Sequence, residues 1–260
     1  MKGKASLIGR RYDWLMAGSS PTLVLLHGLG ATGQVWDPLV ETVRWSGRVV
    51  APDLRGHGSE RWTDNYSFGA MASDVAGLLE LEEPYVVLGH SMGGGVGAAL
   101  ATGLFGHPPR AVGTIGVKIV WSDEELEKLP DIAAKPPRFF KDREEAADWF
   151  LKLSGLFGVV ASDNPLTERG VIHTSDGWRA SQDPRSVLVG TGAPSFTKMF
   201  EGLLAPTFMS LGEHDPLVSP ADHQNMPTDP PHVFSGLGHN AMVEDPARVW
   251  AWFGGVTSLA

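Results

Sequence analysis

Short apolar runs, each closed off by turn residues, recur along the chain: TLVLL (Thr22 to Leu26), RVVAPD (Arg48 to Asp53), YVVLG (Tyr85 to Gly89), AVGTIGV (Ala111 to Val117), TFMSLG (Thr207 to Gly212) and HVF (His232 to Phe234). Runs this short and without polar alternation suit strands buried on both faces, the condition met inside a parallel sheet. After the first run, TGQVWDPLVETV sets Val35, Leu39, Val40 and Val43 at helical intervals. After the second, YSFGAMASDVAGLLELEE does the same with Met71, Val75, Leu78 and Leu79. Strand and helix therefore alternate. Parallel neighbours are joined by right-handed crossovers that carry a helix, so the order predicts a mostly parallel central sheet with helices on both faces. The segment from Ser6 to Met16 alternates less cleanly and suggests an antiparallel edge hairpin.

From Ile119 to about Phe200 the rhythm breaks. SDEELEKL and DREEAADWFLKL read as helices whose acidic first turns suit the positive end of the helix dipole. Pro130, Pro136, Pro137, Pro165, Pro184 and Pro194 punctuate the stretch. It reads as an inserted helical cap over residues 119–200, leaving 1–118 and 201–260 as the α/β core. The cap carries Trp121, Phe139, Phe140, Trp149, Phe150, Phe157, Trp178, Phe196 and Phe200. Aromatic rings dominate core burial, so most of these are expected in the cap's own packing and its contact with the sheet, with some lining a pocket.

At 260 residues the chain is long enough to bury a sizeable core. Its 21 Lys and Arg against 30 Asp and Glu give a net charge of -9, which repels phosphate backbones and anionic lipid. Neither nucleic acid nor membrane is an expected partner. No run approaches the roughly 18 apolar residues of a membrane span. MKGKASLIGRRYDW has no apolar h-region, so a cytoplasmic location is expected. Cysteine is absent, which excludes disulfides, thiolate metal sites and a cysteine nucleophile.

One serine stands among glycines in LGHSMGGG (Leu88 to Gly95). Glycine costs order and is kept where the chain turns sharply or backbone packs closely. GHSMG (Gly89 to Gly93) fits G-x-S-x-G directly after a predicted strand and before the helix-like MGGGVGAALATGLF. That context is a nucleophile elbow, in which the Ser91 hydroxyl projects above the strand end. A serine hydroxyl needs a base at neutral pH, and histidine titrates nearest that pH. Of nine histidines, His239 lies in GLGHNAMVEDP (Gly236 to Pro246), just after the last predicted strand, where open α/β sheets assemble their sites.

The base has to be oriented by a carboxylate. Asp215, in SLGEHDPLVSP (Ser210 to Pro220), follows the strand TFMSLG and gives the chain order Ser, acid, His. It is the assigned acid, with Glu213 and Asp222 as nearby competitors. A tetrahedral oxyanion needs two backbone donors. HGLG (His27 to Gly30) offers a turn in which the amide of Leu29 points inward, and Met92, the residue after the nucleophile, supplies the other. No second ligand stands at metal spacing beside His27, so a structural role is expected for it, with neither metal nor cofactor.

With LLHGLGATGQVW, VVAPDLRGHGSE, VLGHSMGGG, LGEHDPLVSP and GLGHNAMVEDP in order from about Thr22 to the C-terminus, cap excepted, the chain resembles an α/β-hydrolase fold serine hydrolase with a cap. The group it is similar to is the broad one of esterases, lactonases and cofactor-free haloperoxidases. The resemblance implies that Asp53, Arg55 and His57 of DLRGHG hold loops rather than catalyse. In some relatives the acid follows the strand after the elbow, where this chain has Lys118. The implied activity is cleavage of small or medium carboxylic esters or lactones, a small-molecule substrate, through an acyl-enzyme on Ser91. The same triad also serves carbon-carbon bond hydrolysis, perhydrolysis or hydroxynitrile cleavage, and a slow-turnover ligand-sensing receptor keeps it as well.

Overall fold

The computed structural model describes residues 20–191 and 196–259, the side chains of 196–198 excepted. Its centre is a six-stranded sheet in the order β2-β1-β3-β4-β7-β8, formed by β1 (Thr22–Leu26), β2 (Val49–Val50), β3 (Tyr85–His90), β4 (Val112–Ile115), β7 (Thr207–Gly212) and β8 (His232–Phe234). Every neighbouring pair in this sheet is parallel. The expected hairpin at Ser6 to Met16 lies outside the described residues. Strand side chains alternate between two clusters: Val24, Leu26 and Val87 join one, Leu23, Leu25, Val86 and Leu88 the other. Both faces of the central strands are therefore buried, which is why their sequences read as unbroken apolar runs.

Helices cover both faces. Met71 and Val75 of α2 (Phe68–Ala76) and Val96 and Leu100 of α3 (Met92–Ala101) join the first cluster. Leu39 of α1 (Asp37–Val43) and Val249 and Phe253 of α8 (Pro246–Thr257) join the second, beside the short α7 (Ala241–Glu244). Phe253 is wholly buried, and truncating such a ring to alanine costs about 3–5 kcal/mol. Several elements are shorter than the sequence suggests, β2 and α2 among them. β2 stops at Val50, because Pro52 has no amide to continue the ladder and Asp53 turns away to accept from the Gly33 amide at 2.8 Å. α2 ends at Ala76 with Gly77 as its cap, so Leu78 and Leu79 lie beyond it.

Between β4 and β7 lie α4 (Asp123–Ala133), α5 (Arg143–Leu153), an antiparallel hairpin of β5 (Val171–Thr174) and β6 (Gly177–Ala180), a 3-10 turn over Pro184–Gly190 and α6 (Phe196–Glu201). The two acidic helices form where expected. Ser122 and Glu125 make a reciprocal capping box at α4, and Asp142 accepts from the Glu145 amide at α5. The insertion is not wholly helical, since the hairpin interrupts it. Its two-residue turn is Ser175 and Asp176, and Gly177 opens β6 at φ +117°. Ala146, Ala147, Phe150 and Leu151 of α5, with Val171 and Ala180 of the hairpin, join the same buried cluster as β1 and α8.

The loops after β1 and β2 are locked by buried polar groups. His27 Nε2 accepts from the Leu54 amide at 2.8 Å, while Nδ1 lies 2.8 Å from the Gly28 carbonyl. Both ring nitrogens are thus spent on backbone. The His57 ring meets the His27 ring edge-on at 5.1 Å, and Arg55 grips Asp74 through two hydrogen bonds. Asp53 accepts from the amides of Gly33 and Ser59 and pairs with Arg169 of the insertion. Burial alone would raise its pKa, but the two amides and Arg169 outweigh it and hold the carboxyl below its ordinary range.

Burial pushes His27 down to about 4 and His57 to about 3, from an ordinary 6.5. The unfolded chain therefore takes up protons that the folded chain refuses, so stability is full above the ordinary value and falls as the pH drops toward the folded ones. Urea midpoints measured from about pH 7 down to about pH 5 should decline, and those of His57→Leu should decline less steeply.

Candidate active site

Ser91 follows the last residue of β3 directly and begins the turn into α3. Its backbone sits at φ 49°, ψ -115°, a conformation that side-chain-bearing residues rarely adopt and that costs on the order of 1–3 kcal/mol. Two restraints hold it there. The Ser91 amide donates to the Ile115 carbonyl of β4 at 2.8 Å. Gly93 lies so close to β1 that a side-chain carbon would stand 2.2 Å from the Leu26 carbonyl oxygen. Glycine there lets α3 start flush against the strand ends, and the turn before it has to be tight.

His239 follows β8 on the loop leading into α7, and its Nδ1 lies 2.7 Å from Asp215 Oδ2. The carboxylate only accepts, so Nδ1 carries the hydrogen and Nε2 presents a lone pair. The Asp215 side chain is fully buried, and its other oxygen accepts from the Leu217 amide at 2.8 Å. Gly116, the residue after β4, packs against the pair: a side-chain carbon there would lie 2.9 Å from Asp215 Oδ2 and 3.0 Å from His239 Nδ1. The two competing acids are occupied elsewhere. Glu213 accepts from Ser235 and Gly236, and Asp222 accepts from the amide and hydroxyl of Ser219.

Ser91, His239, Leu29 and Met92 line one cavity of about 620 Å³. Met92 is the first residue of α3, where helix amides have no partner within the helix. Among the described residues neither its amide nor that of Leu29 has a protein acceptor. The arrangement offers a hydroxyl, an imidazole oriented by a carboxylate, and two free N–H groups around one space. Its walls are mainly apolar, with Phe68, Val117, Trp121, Val187 and Leu217 among them.

Several lining residues carry no sequence signal. Phe68 starts α2, and Val187 and Val189 come from the 3-10 turn over Pro184–Gly190. Of the cap aromatics named above, Trp121 reaches the cavity, whereas Phe150 and Phe200 are fully buried and Phe139 and Phe157 are exposed. Phe196 is among the residues whose side chains are not described. Lys118 also lines the cavity, paired with Glu125 and 4.8 Å from the centre of the Trp121 ring.

The family model for the alpha/beta hydrolase family matches residues 23–252. Among curated relatives, protein phosphatase methylesterase 1 of Bos taurus is 28% identical over 181 residues, 65% of this chain and 47% of that protein. The match thus spans about half the length of that relative. Among solved structures, E-2-(acetamidomethylene)succinate hydrolase superposes with a TM-score of 0.75 at 20% identity, covering 91% of both chains. An N-acyl homoserine lactonase complexed with N-butanoyl homoserine gives 0.68 at 21% identity, covering 92% of this chain and 89% of that one. At such identities the structural likeness bears on the fold alone.

The backbone strain at Ser91 gives a stability test. Ser91→Gly relieves the conformation and Ser91→Ala does not, so the glycine variant should be more stable than the alanine variant by about 1 kcal/mol in urea denaturation.

Proposed function

The chain belongs to the alpha/beta hydrolase family, and from that premise we propose that it is a serine hydrolase of small or medium carboxylic esters or lactones with apolar parts. The observation that carries this reading is the His239 to Asp215 hydrogen bond facing the same cavity as the strained Ser91. Ser91 Oγ attacks the acyl carbonyl carbon as its proton passes to His239 Nε2, giving a tetrahedral oxyanion. The amides of Leu29 and Met92 donate to that oxygen, and one such donor is worth about 10² to 10³ in rate.

His239 returns the proton to the leaving alcohol, and the carbon-oxygen bond breaks to leave an acyl-serine. Water, deprotonated by His239, then attacks the acyl carbon and releases the acid with Ser91 restored. Asp215 keeps Nδ1 protonated and offsets the charge of the imidazolium. The apolar walls of the cavity favour hydrocarbon acyl or alcohol parts. A relative named as a methylesterase and a neighbour named as a lactonase act on ester bonds, the bond class that the site suits.

A panel of esters and lactones of graded acyl and alcohol length, scored by product analysis, should identify acid and alcohol as the products of the esters and a hydroxy acid as the product of a lactone. Ser91→Ala should abolish both turnover and labelling by a serine-directed phosphonate, and full retention of either would overturn the assignment. Asp215→Asn should lower kcat by roughly 10³ to 10⁴, whereas Asp222→Asn should stay within about threefold of the parent.

A further inference from the structure

His90 is the last residue of β3, one position before Ser91, and is 1% exposed. A buried histidine has to account for two ring nitrogens. Its Nε2 lies 3.0 Å from the carbonyl oxygen of His239. A carbonyl only accepts, so Nε2 carries the hydrogen and donates it. Nδ1 is then the lone-pair nitrogen, and among the described residues it is buried without a hydrogen-bond partner.

The same ring makes two further contacts. It meets the His239 ring edge-on, with centroids 4.6 Å apart and planes at 60°. It also abuts the Gly28 backbone, where a side-chain carbon would lie 2.7 Å from Nδ1 and 3.0 Å from Cε1. One imidazole is therefore joined to the elbow by the chain, to the His239 loop by a hydrogen bond and ring contact, and to the loop bearing Leu29 by packing.

We propose that His90 is a positioning residue: its Nε2–H holds the His239 carbonyl, and its ring sets the spacing between His239, the Leu29 loop and Ser91. This rests on the reading of Ser91 and His239 as nucleophile and base. Positioning of this kind matters because a displacement of about 1 Å in a reacting group costs on the order of 10² in rate. Burial, and then the neighbouring His239, keep the His90 ring well below its ordinary pKa, so it stays neutral beside the imidazolium that forms during turnover. A second cation there would oppose that step.

Hydrolysis of p-nitrophenyl butyrate and the rate of labelling by a fluorophosphonate test this in the parent, His90→Leu, His90→Gln, Ser91→Ala and His239→Ala. Leucine keeps an apolar body without the donor, and glutamine keeps an N–H at similar reach. His90→Leu should lower kcat and labelling about 10- to 100-fold with KM within about threefold. His90→Gln should recover kcat to within about fivefold of the parent. Parent-like kcat in His90→Leu, an effect confined to KM, or a folded His90→Gln no faster than His90→Leu would each overturn the proposal.

If His90→Leu does not fold, His90→Gln decides alone: kcat within about fivefold of the parent supports the proposal, and a larger loss in a protein with the parent's urea midpoint overturns it. Undiminished labelling in Ser91→Ala or His239→Ala would instead sink the underlying reading of the triad. Loss of labelling in both, with His90→Leu unaffected, would remove the positioning role alone.

Discussion

The close seating of α3 on the ends of β1 and β3 is the contact from which the site follows. Gly93 leaves no room for a side chain between the helix and the Leu26 carbonyl, so the chain must pass from strand to helix within one residue, and Ser91 is that residue. The cost of its backbone conformation is met by cooperative restraints on either side, the Ser91 amide bonded to β4 and a helix that is buried along its whole length. The same seating brings the unpaired first amide of α3 to the cavity wall, where the helix dipole adds to its positive character.

A second restraint works through the loops. Asp53 gathers the Gly33 amide, the Ser59 amide and hydroxyl, and Arg169 of the insertion around one buried carboxylate. His27 bridges to Leu54 from the loop that also carries Leu29. These bonds join segments distant in sequence, so the turn bearing one prospective oxyanion donor is fixed by groups that never touch the cavity. That is the structural work implied for Asp53 and His57 by their place in DLRGHG, and Arg55 adds its own grip on α2 through Asp74.

The sheet was legible because strands buried on both faces leave a simple mark, an unbroken apolar run, and TLVLL, YVVLG and TFMSLG become strands nearly to the residue. Chain order was enough to bring Asp215 beside His239, because loops at the carboxyl ends of neighbouring parallel strands converge. β2 was overestimated because Pro52 and the pull of Asp53 on Gly33 are local events that periodicity does not register. The hairpin was hidden by its setting: VIHTSDGWRA lies among helices and prolines, though its Asp-Gly pair was a turn signal available to be read. His90 could not be distinguished among nine histidines, since its partner is a backbone carbonyl 149 positions away.

The insertion has two different relations to the sheet. α5 and the β5-β6 hairpin contribute Phe150, Leu151, Val171 and Ala180 to the main buried cluster, so swinging them outward would tear open the interior of the whole molecule. α4 buries only Leu129 and Ala133 and rests on the Pro184–Gly190 turn, while Trp121 and Glu125 at its start border the cavity. Adaptation of the cavity to a differently shaped guest is therefore cheap along α4 and costly along α5. The lining at Trp121 and Glu125 is plastic, and that at Lys152 and Leu153 is architecture.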